Sequence, residues 1–143
     1  LSSPTLVNST LWGNSALLGS GIHSRFSSPV LINCILWGHV LSPIYGEDSS
    51  PDITYSDIQG GYAGEGNINA NPLFLDPGNG DFHLGPGSLC IDAGSNGATH
   101  LPTFDFEGDE RIVDGNGDGV PVADMGADEA LLRLYLPVIL RDY

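Results

Sequence analysis

One phrase is written three times in the first sixty residues, and it limits the chain to a stacked architecture. It reads Ser2-Ser3-Pro4-Thr5-Leu6-Val7-Asn8-Ser9-Thr10-Leu11-Trp12-Gly13, then Ser27-Ser28-Pro29-Val30-Leu31-Ile32-Asn33-Cys34-Ile35-Leu36-Trp37-Gly38, then Ser49-Ser50-Pro51-Asp52-Ile53-Thr54-Tyr55-Ser56-Asp57-Ile58-Gln59-Gly60. The copies start 25 and 22 residues apart. Self-similarity at such a period marks units that bury their apolar faces only by stacking on one another.

The internal offsets define the unit. Leu6, Leu31 and Ile53 share one column, and Leu11, Leu36 and Ile58 share another five residues on. Straight strand alternation puts residues two, four or six apart on one face, so an offset of five requires a break. The break falls at Asn8-Ser9, Asn33-Cys34 and Tyr55-Ser56. Asparagine suits such a bend because it tolerates the left-handed region and bonds locally. Each phrase therefore reads as strand, bend, strand. No helical period survives the β-branched residues, the terminal glycine and the Ser-Ser-Pro restart. Leu17–Ile22, Val40–Ile44 and Asn67–Asn69 are candidates for a third short strand.

The expected fold is all-β: a right-handed parallel β-helix of about three coils over residues 1–75. Asn8 above Asn33 would form a short amide ladder. A non-repeating, turn-rich segment over 76–130 follows as an irregular β cap, placed to cover the last coil's exposed hydrogen-bonding row. Residues 131–143 form an apolar tail. With 20 Gly and 10 Pro against 41% hydrophobic residues, the chain is too apolar for disorder and too turn-rich for a helical bundle. The first phrase is under way at Ser2, which suggests upstream coils in a longer parent chain.

Charge narrows the partners. The net charge is −14, there is no lysine, and 17 of the 18 acidic residues lie between Glu47 and Glu129. Such a field repels phosphate backbones and excludes nucleic acid as a natural partner, while attracting divalent cations. No apolar run reaches the ~20 residues of a membrane span. Cys34 and Cys90 are either small buried hydrophobes or one bridge, and spacing leaves both open.

Three groups of residues have chemical potential. Asp114-Gly115-Asn116-Gly117-Asp118-Gly119-Val120 carries oxygen ligands at alternate positions followed by Gly, as in the first half of an EF-hand-type loop. The expected ligands of a weakly bound Ca2+ are Asp114, Asn116, Asp118, the Val120 carbonyl and, if the loop closes differently, Asp124. Position 12 is Met125 instead of a carboxylate. An empty Asp/Gly turn is the alternative. Trp12 and Trp37 occupy one column and would bind sugar rings if they face outward, or pack as shielded aromatics if they do not. Arg111, among Asp105, Glu107, Asp109 and Glu110, is placed to pin the cap by pairing with one of these or with Asp92, Asp124 or Glu129. His23, His39, His83 and His100 lack zinc spacing, and no phosphate loop or nucleophile motif is present.

In order, the Trp-Gly repeats, Asn67–Asp76, Gly80-Asp81-Phe82-His83-Leu84, Ser88–Gly94, Asp105–Arg111 and Asp124-Met125-Gly126-Ala127-Asp128-Glu129 resemble the C-terminal part of choice-of-anchor Q proteins. These are bacterial surface proteins with a pectate-lyase-like β-helix. The resemblance covers roughly residues 2–129 and departs at Leu89, where proline commonly follows the serine. It implies an extracellular or cell-surface protein with no established activity. The tail resembles a terminal signature of some exported bacterial proteins, which suggests anchoring or sorting. The expectation is a non-catalytic structural or adhesive module, its partner a polysaccharide or cell-surface glycan. Two alternatives stand beside it: the end of a polysaccharide lyase or glycoside hydrolase whose active site lies upstream, and a carbohydrate-binding module.

Overall fold

The computed structural model describes residues 2–131, and the tail expectation lies outside them except for Leu131. Each phrase folds as strand, bend, strand. The strands are β1 (Thr5–Val7) and β2 (Thr10–Trp12), β4 (Val30–Ile32) and β5 (Ile35–Trp37), and β7 (Asp52–Thr54) and β8 (Asp57–Ile58). The bend residues Asn8, Asn33 and Tyr55 take φ of 46°, 56° and 48°. Two of the three are asparagine, which after glycine accepts this region most readily.

Stacking is parallel and in register. One sheet orders β1-β4-β7 with Leu6, Leu31 and Ile53 in line. A second orders β2-β5-β8 with Leu11, Leu36 and Ile58 in line, and Trp12 opposite Trp37. The first core cluster lies between these sheets, built on Leu31, Leu36, Ile53, Ile58 and Cys34. Polar columns follow the same register. Ser28 N–H donates to Ser3 Oγ and Ser50 N–H to Ser28 Oγ. Asn33 Nδ2 donates to Asn8 Oδ1 at 3.2 Å, the expected amide ladder.

The third strand sits later than the apolar runs suggested. It comprises β3 (Ile22–Arg25) and β6 (Ile44–Glu47), paired in parallel with each other. Of the expected segments only Ile22 and Ile44 belong to it. Leu17, Leu18, Val40 and Leu41 are exposed turn residues, so hydrophobicity there did not mark burial. The third copy has no such strand among the described residues. After Gly60-Gly61 the chain loops back and Ile68 bridges Asp57 in parallel, continuing the β2-β5-β8 stack. Ile58 N–H donates to Ile68 O and Ile68 N–H to Ser56 O. Residues 65–70 thus cover the last row of hydrogen-bonding groups that the later segment was expected to cap.

The later segment is instead a lateral brace. It opens with the antiparallel pair β9 (Phe74–Asp76) and β10 (Asp81–Leu84), joined by a 3-10 turn at Pro77–Asn79. The rest, to residue 131, is irregular apart from a bridge between Phe104 and Glu110. It packs on the outer face of β2-β5-β8, forming a second core from Ile35, Leu84, Cys90 and Met125. That parallel sheet is therefore buried on both faces, the usual condition for parallel strands. The brace touches every copy of the phrase. Ala127 N–H donates to Thr10 Oγ1, Gly126 N–H to Asn33 O, and Cys90 Sγ–H to Asp57 Oδ2. Cys34 and Cys90 are both free thiols, which resolves the open bridge question.

Candidate functional site

Irregular backbone buried against a sheet must still satisfy its N–H groups. In this brace, carboxylates do that work. Asp105 Oδ1 accepts from the N–H of Glu107, Gly108 and Asp109, and its Oδ2 from Glu129 N–H. Asp92 holds the N–H groups of Gly115 and Asn116. Asp124, fully buried, takes Asp92 N–H on Oδ1 and Ala130 N–H on Oδ2. Asp128 Oδ2 accepts from Leu84 N–H, and Glu129 Oε2 from Asp124 N–H.

The ionisation of these groups follows their surroundings. Burial pushes Asp105 upward, but its four backbone donors outweigh that and hold it below the usual carboxylate range. Burial raises Asp128. It also raises both Asp124 and Glu129, whose like charges face each other, so the pair favours retaining a proton. Asp57 is pushed up to about 6 by burial, against the opposing donors of Ala70 and Cys90.

Arg111 pins the brace chiefly through backbone carbonyls, with Glu129 the nearby carboxylate among those expected. Its Nη1 donates to Gly126 O at 3.2 Å and Asp128 O at 3.0 Å, its Nη2 to Ala127 O, and Nη1 lies 3.7 Å from Glu129 Oε2. Three carbonyls of one tight turn thus converge on a single buried guanidinium, whose planar fork of donors matches that arrangement.

His83, near the end of β10, joins the brace's acidic wall. Its Nδ1 lies 2.5 Å from Asp81 Oδ1 and its Nε2 2.8 Å from Glu107 Oε2. Hydrogen bonds to Glu107 and Asp81 push its pKa up to about 9, and the bond to His83 holds Asp81 below the usual range. With the imidazolium held between two carboxylates, His83 is poorly placed to act as a free base. One ligand atom each of His83, Glu107 and Asp128 lie within 4.8 Å of one another. All three residues line a cavity of about 560 Å³, together with Asp109, Asn116 and Glu129. A second cavity of about 510 Å³ shares His83 and is walled by Thr10, Phe82 and Phe106.

The loop expected to hold Ca2+ is folded on its own oxygens. Asp114 Oδ1 accepts from Gly117 N–H and Asp118 N–H, and its Oδ2 from Gly119 N–H. Asn116 Oδ1 accepts from Asp118 N–H, and Asp118 Oδ1 from Val120 N–H. Asp114, Asn116, Asp118 and Val120 stay together at the surface, whereas Asp124 is committed to Asp92 and Ala130 in the interior. Trp12 and Trp37 face outward from β2 and β5 but are half-buried beneath the brace. Trp12 lies 5.9 Å from the Phe82 ring, and a Cβ on Gly38 would stand 2.7 Å from its indole nitrogen.

His39 is buried with Nδ1 3.3 Å from Asn14 O. His23 and Arg25 sit on β3 against Tyr45 and Glu47.

The grouping of His83 with Glu107 and Asp128 was not apparent from spacing. The residues lie 24 and 21 positions apart, on segments that only the brace's fold brings together. The one local hint was Asp81 two residues before His83 on a strand, an offset that returns side chains to one face. No protein-family model, curated protein or solved structure matches this chain.

Proposed function

We propose that the chain is a non-catalytic, C-terminal module of a right-handed parallel β-helix in an exported bacterial surface protein, serving display or adhesion. The carrying observation is the in-register parallel stacking of three strand–bend–strand units, which is what successive coils of a β-helix produce. The resemblance to choice-of-anchor Q proteins supports the surface assignment. Among the described residues β1, β2 and β3 pair on one side only, so their other edge is available to a further coil. Gly13 adds to this. A Cβ there would meet nothing within 4 Å, although its counterpart Gly38 lies beneath Trp12. A tryptophan from a preceding coil would fill that seat.

Ca2+ is the ion proposed for the 114–120 loop, held by Asp114, Asn116, Asp118 and the Val120 carbonyl. Repulsion among acidic groups in a chain of net charge −14 favours its uptake. A cell-surface polysaccharide is the proposed contact of the module.

Two measurements test the reading. Antibody labelling of intact producing cells should detect the protein, and labelling only after lysis would overturn the surface assignment. Incubation of the full-length parent protein, upstream coils included, with acidic polysaccharides in millimolar Ca2+ should release no unsaturated products; their appearance would favour the lyase alternative.

A further inference from the structure

We propose that His83, Glu107 and Asp128 bind one divalent transition-metal ion of the Zn2+ or Mn2+ class, on the wall of the larger cavity. The donor set is one imidazole nitrogen and two carboxylate oxygens within 4.8 Å of one another. Metal–ligand bonds of about 2.0–2.2 Å place ligand atoms roughly 3–3.5 Å apart, so the group closes with small side-chain movements. The imidazole favours Zn2+, the two carboxylates also suit Mn2+, and three protein ligands fall short of the six to eight oxygens Ca2+ prefers.

Each ligand is already held from behind. Asp81 Oδ1 accepts the Nδ1 proton of His83, which fixes the tautomer and turns Nε2 toward Glu107. Glu107 lies on the loop tightened by Asp105, and Leu84 N–H fixes Asp128 through Oδ2. On binding, the proton shared between Nε2 and Glu107 leaves to solvent and the ion takes its place.

A separate observation points to the same cavity. Glu129 lines it, is 2% exposed, and keeps Oε1 buried with no hydrogen-bond partner. Asp109 adds another carboxylate to the wall, and the nearby Arg111 guanidinium, bonded to three carbonyls, lies 3.7 Å from Glu129 Oε2 and not on Oε1. A metal-bound water reaching Glu129 Oε1 would supply the donor it lacks. Three protein ligands leave at least one coordination position for water.

The test uses the tag-free chain, stripped with EDTA and desalted, then titrated calorimetrically with Zn2+, Mn2+ and Ca2+ at neutral pH. One equivalent of Zn2+ or Mn2+ should bind more tightly than Ca2+, and Co2+ should give a d–d absorption spectrum of low symmetry. Affinity should drop at least ~10-fold in Asp81→Asn, within the range for partners behind a ligand. It should drop further in His83→Gln and Glu107→Gln. Glu107 is exposed, so its variant keeps the test valid if His83→Gln does not fold. Absence of Zn2+ and Mn2+ binding, or unchanged affinity in Glu107→Gln, would overturn the site. So would Ca2+ displacing bound Co2+ as readily as Zn2+ does, the behaviour of an unspecialised acidic surface; Ca2+ taken up by the 114–120 loop leaves the Co2+ spectrum unchanged.

Discussion

At the residue scale the bend column and the glycine column carry the clearest consequences. Asn33 donates to Asn8 Oδ1 and Ser95 O, and accepts from Ser95 N–H, with the whole residue buried. Asn33→Ala strands these partners and puts alanine at positive φ, so a loss of about 2–4 kcal/mol is expected in urea unfolding. Gly38 and Gly13 form a matched pair. Both have positive φ, but only at Gly38 would a Cβ run into an indole ring. Gly13→Ala should cost about 1–2 kcal/mol for the backbone alone, and Gly38→Ala distinctly more. Equal costs would show that Trp12 is not seated on Gly38. The bend was legible in the sequence because Asn8 and Asn33 advertise it. Tyr55 adopts the same conformation with no such signal, and only column alignment reveals its role.

At the scale of elements the brace depends on one cation. Arg111→Met removes three carbonyl partners and leaves Glu129 without its nearest positive group. A loss of about 3–5 kcal/mol is expected. Arg111→Lys should recover little, because an ammonium cannot reach carbonyls with the same planar fork. The buried thiols provide an independent check on packing. Burial pushes Cys34 up to about 11 and raises Cys90 further, so both resist ionisation. Native protein should react with a thiol-specific disulfide reagent only at its unfolding rate. Fast labelling of either thiol would show that its core opens locally.

Here the sequence was less legible. The strand pairs of the phrase follow from their columns. The brace does not, because its order comes from Asp105, Asp92 and Asp124 gripping backbone N–H groups far along the chain. Carboxylates used this way look identical in sequence to carboxylates facing water. The metal-capable group was hidden for the same reason. The third strand was misplaced because Leu17, Leu18, Val40 and Leu41 lie outside the core while Ser24 lies inside.

At the scale of the whole molecule, the acidic interior predicts an unusual response to pH. The folded pKa of Asp57, about 6, exceeds the ordinary 3.8. Its favourable contribution is therefore fully present below the ordinary value and is lost as pH rises through 6. That one group is worth on the order of 2–3 kcal/mol. The Asp124–Glu129 pair, also raised, shifts stability in the same direction. Asp81 and Asp105, held low, act oppositely and lose their contribution only in stronger acid. In chelator-containing buffer the melting temperature should therefore be higher near about pH 5 than near about pH 8. A melting temperature that falls steadily on acidification over that interval would contradict the buried state of Asp57.

The brace's contact with every copy of the phrase has a further implication for how such a chain changes over evolutionary time. Tandem units are ordinarily gained and lost by duplication, since each meets only its neighbours. Between Thr10 and Asp57 that freedom is suspended. The brace grips Thr10 in the first copy, Asn33 in the second and Asp57 in the third. An inserted or deleted unit would leave one of those grips spanning the wrong distance. The flanking segment works as a gauge, and the repeats beneath it are counted.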